Sequence, residues 1–166
     1  IGAGIAGAIA PEPQLLLKTL RSAGEGEGRA SLWGAGETVS PLNAALINGT
    51  ASHAFELDDT GGCDHSGAVV VPAAVAAVEL SGRKVTGEEF IAAVVLGYDV
   101  ARRALEACGA YEAHNGAGFH STGTCGPFGA AAAAAKILEL DERQTEMALG
   151  LASSFASGLW SCVHDG

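Results

Sequence analysis

Cations are what this chain has least of. Lys and Arg together number nine against nineteen Asp and Glu, for a formal charge of -10. A phosphate lattice is bound chiefly through Lys and Arg, so this balance excludes a general nucleic-acid surface or an acidic-membrane surface, and an anionic ligand would need positive groups concentrated locally. Paired cysteines are missing too: Cys63, Cys108, Cys125 and Cys162 form no C-x-x-C element. With no recognisable secretory leader, reduced thiols in the cytoplasm, or in the mitochondrial matrix of a eukaryote, are expected. The longest apolar run, "GAVVVPAAVAAVEL", falls short of the ~20 apolar residues of a membrane-spanning helix and contains a proline, so it reads as core. "GAGIAGA" lacks both the preceding strand and the Lys-Ser/Thr of a phosphate loop, and no G-x-S-x-G element points to a hydrolase.

What is present suits a folded domain. The hydrophobic share is 48%, charged residues make up 17%, and 166 residues is the length of one domain with a sizeable core. The chain opens on "IGAGIAGAIA" without an initiator Met and stops at "WSCVHDG", so both ends read as cuts inside a larger domain. Helix signals recur between them. "PQLLLKTL" is a short apolar helix, followed by a polar loop, "SAGEGEGRA". Ser40 is placed to cap a helix opened by Pro41, in which Leu42, Ala45, Leu46, Gly49, Thr50 and His53 share one face. "VVVPAAVAAVELSG" reads as strand or buried helix, and its length and alanines favour a helix ending at Gly82. Thr86 and Glu89 form a capping box, with Val85 and Phe90 as hydrophobic staple. Residues 109–126 are expected to be a loop, Pro127 to open an Ala-rich helix, and Asp141 with Gln144 to cap the next. Strands are scarce and no internal repeat is evident, so the expected architecture is all-α over residues 1–166.

The chemistry gathers in "ELDDTGGCDHSGAV", residues 56–69. Glu56, Asp58 and Asp59 follow a helix whose C-terminal end is already partially negative, so they require a compensating partner there. An ordinary solvated turn is the bland account of the same residues. His65 stands at the mouth of an apolar helix with Ser66 as a possible cap, and His120 is framed alike by "GAGFHSTGTCGPFG". If their helices pack side by side, two imidazoles converge among glycines and hydroxyls, an arrangement suited to carboxylate binding and proton transfer near neutral pH. Metal ligation by Cys63 with His65, His120 with Cys125, or Cys162 with His164 is the rival account, but none has the spacing of a zinc framework. His53 is expected to pack on its own helix, His114 and His164 have weaker claims, and Arg102 and Arg103 either pair with acids or face solvent.

The ordered segments "ALINGTASHAFELDDT", "HSGAVVVPAAVAAVE", "VLGYDVARR", "GFHSTGTCGPFGAAAAAAKILELD" and "ALGLASSFASGL" resemble the MmgE/PrpD family of 2-methylcitrate dehydratases, cis-aconitate decarboxylases and iminodisuccinate epimerase. The resemblance runs through nearly all of the chain. It implies part of a large helical domain, paired in the family with a smaller α+β lid, in a homodimer that uses neither metal nor organic cofactor. It also implies lyase chemistry on a small di- or tricarboxylate such as 2-methylcitrate or cis-aconitate, or epimerisation; a non-catalytic helical assembly module, in which the Gly-rich loops only terminate helices, is the competing reading. Carried onto this sequence, His65 and His120 would be catalytic, and Glu56, Asp58, Asp59, Thr60 and Ser121 would bind substrate. Glu56 stands where the family commonly has Asp, and the family's Lys-containing element falls beyond Gly166. The isolated segment is therefore expected to catalyse poorly and to leave apolar faces uncovered.

Overall fold

The structure, a computed structural model, describes residues 1–161. Eight helices are found among them: α1 (Gly2–Gly7), α2 (Pro11–Ser22), α3 (Pro41–His53), α4 (Ser66–Ser81), α5 (Gly87–Ala107), α6 (Ala110–Gly116), α7 (Ser121–Ile137) and α8 (Glu142–Phe155). The all-α expectation holds. A small antiparallel hairpin interrupts it, β1 (Ala30–Ser31) pairing with β2 (Thr38–Val39) in the register Ala30 to Val39. None of the helices among the described residues is long and apolar enough to cross a membrane.

Local capping fixes where three helices start. The Ser40 hydroxyl accepts from the Asn43 amide at 3.3 Å just before Pro41. At α5 the Thr86 hydroxyl accepts from the Glu89 amide at 3.2 Å while the Glu89 carboxylate takes the Thr86 amide at 2.7 Å. Those bonds to Thr86, and the Arg83 guanidinium beside them, hold the Glu89 carboxyl down to about 2. Val85 and Phe90 pack together against Ala77, Ala93 and Ile137. Asp141 and Gln144 repeat the reciprocal box at α8.

Small residues set the packing. Helix α7 lies between α4 and α5, α3 packs on α4, and α8 covers α7. At the α5–α7 crossing, a Cβ on Gly97 would stand 2.8 Å from the Gly129 carbonyl oxygen, so the two backbones nearly touch. Val70, Ala74 and Ala133 fill the core beside them, with Phe90, Val94 and Tyr98 at its edge. A second core, under the hairpin, joins Leu17, Ala30, Leu32, Val39, Ala44 and Ile47. The α3 face expected from Leu42 to His53 turns out to be the open one. Leu42 is 82% exposed, whereas Ala44, Ile47, Asn48 and Ala51 are buried. Ala45, Leu46, Gly49, Thr50 and His53 instead line a largely apolar groove of about 860 Å³ shared with α4, α7 and Phe155.

Two expectations at the start of α7 are corrected. Residues 110–116 are helical, because Gly109 at φ 94° reverses the chain straight out of α5. Pro127 does not open α7 but sits inside it. A proline there cannot donate to the carbonyl four residues back, Gly123. That carbonyl accepts instead from the Ser157 amide at 3.2 Å, so the acceptor the proline leaves free is satisfied. Ser66, offered as a cap for α4, is its first helical residue, and His65 occupies the cap position.

Candidate functional site

The site is built on the turn between α3 and α4. Helix α3 ends at His53, and Glu56 at φ 52° and Asp64 at φ 84° hold left-handed conformations that non-glycine residues adopt at a cost. The Cys63 amide donates to the Ser66 hydroxyl at 2.8 Å and closes the turn. Between these points the chain drops Asp58 inward, leaving its side chain only 5% exposed.

Asp58 lies between two imidazoles. Its Oδ2 is 3.0 Å from His65 Nδ1 and its Oδ1 is 3.4 Å from His53 Nδ1. The rings stack at 4.2 Å between centroids, tilted by 49°. An ionised carboxylate only accepts, so these contacts put a proton on each Nδ1 and turn each Nε2 outward. On that outer side stands Glu56, with Oε1 3.2 Å from His53 Nε2 and Oε2 3.7 Å from His65 Nε2. The two rings are thus bracketed by a buried carboxylate and by an exposed one that is free to swing. His53 does not simply pack on its helix, as the sequence reading had it.

The second histidine arrives on α7. His120 holds the cap position of that helix, its amide donating to the Gly158 carbonyl at 3.1 Å and its ring meeting Trp160 edge-on at 4.8 Å. Burial pushes its pKa below the ordinary imidazole value. The charges of Asp64, His65, His53 and Glu56 all act on it as well, the acids raising and the imidazoles lowering it. The starts of α4 and α7 adjoin directly, because the His65 amide donates to the Thr122 hydroxyl at 3.3 Å. Two helix N-termini, with their positive ends, therefore open beside the histidines.

The remaining expected residues are distributed unevenly. Asp59 lies over the first turn of α4, where a Cβ on Gly67 would run into its carboxylate and come within 2.8 Å of the Tyr98 hydroxyl. Burial, then the hydrogen bond to Asp59, raises the Tyr98 phenol, so it keeps its proton as a donor. Thr60 is exposed. Ser121 is fully buried and accepts from the Asn115 side-chain amide at 3.2 Å. Burial pushes the Cys63 thiol up to about 11, which disfavours the thiolate form. Asp64 Oδ2 is buried without a hydrogen-bond partner, the one such side-chain atom among the described residues. Arg102 and Arg103 pair with Asp99 along α5, and Arg102 also with Glu106, away from the turn.

Sequence reasoning undervalued His53 and passed over Tyr98 and Thr122. The available signal for His53 was its position on the last turn of α3, directly before the acidic stretch. Metal-type clusters form elsewhere than at the adjacent pairs weighed from the sequence. Among the described residues, His53, Asp58 and His65 bring one ligand atom each within 4.8 Å of one another, as do Cys108, His114 and Cys125. In the first cluster the Nδ1 protons already satisfy Asp58, and an ion would have to displace them. Cys162 and His164 lie outside the described residues.

The model of the MmgE/PrpD N-terminal domain matches residues 1–166. A cis-aconitate decarboxylase-like protein of Aspergillus oryzae is 32% identical over 173 residues, covering 100% of this chain and 36% of that protein. Cis-aconitate decarboxylase of Aspergillus terreus is 32% identical over 147 residues, 86% of this chain and 30% of its own length. The human cis-aconitate decarboxylase is 33% identical over 132 residues, 76% of this chain and 27% of its own length. The chain thus spans about a third of the length of these curated relatives.

Proposed function

Because the chain belongs to the MmgE/PrpD family, we propose that it is the histidine-bearing helical part of a lyase acting on a small di- or tricarboxylate, with decarboxylation of a cis-aconitate-like acid as the leading reaction. The observation that supports this reading is that the helix starts carrying His65 and His120 adjoin, joined by the bond from the His65 amide to the Thr122 hydroxyl. At a net charge of -10, a polyanionic substrate needs local positive ends, and these two helix starts supply them. The names of the relatives favour decarboxylation over dehydration or epimerisation.

In this reading Asp58 accepts from His65 Nδ1 and directs Nε2 outward, as a carboxylate orients and stabilises an imidazolium acting as general acid. Loss of carbon dioxide breaks a carbon–carbon bond and leaves an electron pair on carbon, which must take up one proton. His65, protonated at Nε2, delivers it. His120, whose burial disfavours the charged ring, hydrogen-bonds the substrate on the other side, and His65 regains its proton from solvent. Glu56 stands where a substrate carboxylate would meet both Nε2 atoms, so binding requires it to swing into solvent. Asp59 with Tyr98 and the exposed Thr60 rim the same turn. The apolar groove beside His53 supports a covering element, for which a second subunit of a homodimer is the proposed source.

Turnover by the protein at the full length of its relatives tests the proposal. Carbon dioxide release from cis-aconitate is expected. Water loss from 2-methylcitrate alone would transfer the reading to a dehydratase, and failure of either acid to bind saturably would end it.

A further inference from the structure

We propose that Cys108, His114 and Cys125 form a site for one zinc-class divalent cation where α5, α6 and α7 meet, separate from the histidine–carboxylate cluster. Each residue offers a ligand atom within 4.8 Å of the others. Three elements converge to make this possible. Cys108 caps the C-terminus of α5, Gly109 and Ala110 reverse the chain with φ 94° and 63°, and His114 then faces Cys125 on the second turn of α7. A left-handed alanine costs free energy, and here the cost accompanies a geometry that brings an imidazole against two thiols.

The donor set selects the ion. Two sulfurs and one imidazole nitrogen suit zinc and similar borderline-soft metals, whereas calcium and magnesium require oxygens. Two thiolates also neutralise a dication, which matters because Cys125 is buried in an apolar cluster with Cys63, Ala101 and Leu105. Entry is available from outside, since Cys108 is exposed.

The imidazole is already oriented for the task. His114 is 8% exposed, and its Nδ1 meets the Asn115 side-chain carbonyl at 3.0 Å. The Asn115 amide is directed to Ser121, which fixes the carbonyl toward the ring. A proton on Nδ1 leaves the Nε2 lone pair facing Thr124 Oγ1 at 3.0 Å, and that hydroxyl lies 3.6 Å from Cys125 Sγ. Metal-binding histidines are commonly held in this way, by a carbonyl on the nitrogen that does not ligate. Binding would release the two thiol protons to solvent and exchange the Thr124 contact for the ion. Once an ion takes Nε2, the Thr124 hydroxyl is left to give its single proton to the His120 carbonyl 3.2 Å away, so an ion here would brace the start of α7 without touching substrate.

The test is a cobalt(II) titration of the chelator-stripped protein, kept reduced by a phosphine, followed by displacement with zinc. A near-ultraviolet sulfur-to-cobalt band saturating at one equivalent is expected, and zinc should abolish it. Cys108→Ser, at an exposed helix end where the fold tolerates it, should weaken the band and the affinity together. Asn115→Ala, with both thiols intact, should lower zinc affinity about 10- to 100-fold. Absence of the band in the reduced wild type would overturn the proposal. So would a band unchanged by Cys108→Ser, or cobalt bound without the band and released by His53→Ala.

Discussion

Helices α4 and α7 begin alike and are used differently. Each has a histidine at the cap, a fully buried serine first, and a proline at the seventh helical position: His65, Ser66, Pro72 and His120, Ser121, Pro127. The sequence reading found no internal repeat, and these short starts are the exception. What surrounds them diverges. His65 is held by a buried carboxylate and lies against a second imidazole, whereas His120, among the described residues, has no such carboxylate on its ring and is held by Trp160 and its backbone. One frame thus presents a histidine oriented by charge, the other a histidine shaped by burial. Two groups placed apart in this way suit the two ends of a proton transfer.

The largest effect should come from removing either ring. In the full-length protein, His65→Ala and His120→Ala should each lower kcat by about 10²- to 10⁴-fold with little change in folding. Near-normal turnover in one of them would break the symmetry of the comparison and assign the chemistry to the other.

Asp58→Asn should separate the two frames further. An amide can leave the wrong nitrogen of His65 protonated, and a loss of about 100-fold or more in kcat is expected, with His53→Ala costing about tenfold. If Asp58→Asn affected only KM, the orienting role would be wrong.

Glycine on the first turns supplies a stability contrast. A Cβ at Gly123 would collide with the Ser157 carbonyl, a backbone group, while one at Gly67 meets the movable Asp59 side chain. Gly123→Ala should cost about 1–3 kcal/mol in urea unfolding. Gly67→Ala should cost within about 1 kcal/mol, yet reduce turnover by moving Asp59.

The smallest effect is in pH. Because His120 titrates lower in the folded chain, the unfolded chain binds a proton that the folded one refuses between that lower value and about 6.5. Stability should therefore fall on acidification through that window, and less so in His120→Gln. An equal slope in both would remove the burial argument.

Much of this was legible where the physics is local. Thr86 with Glu89, Asp141 with Gln144, and Ser40 before Pro41 announce helix starts because a cap needs only residues three apart. The order of the histidine and acidic motifs pointed to the site. Pro127 misled, since whether an interior proline is tolerated depends on Ser157, thirty residues on, supplying a donor to Gly123. Helix α6 carries no side-chain cap and so announced nothing. The partnership of His53 depends on how the chain folds between Glu56 and Asp64, through two left-handed residues that composition does not reveal.

Consider finally the bare crossing of Gly97 on Gly129. Because both histidines ride at the tips of their helices, any slip of α7 along its axis would shift one ring past the other by about 1.5 Å per residue, a displacement large for proton transfer. With Val70 of α4, Ala101 and Ala133 packed closely around it, that notch acts as a detent, and the spacing of the two imidazoles is gauged well away from them.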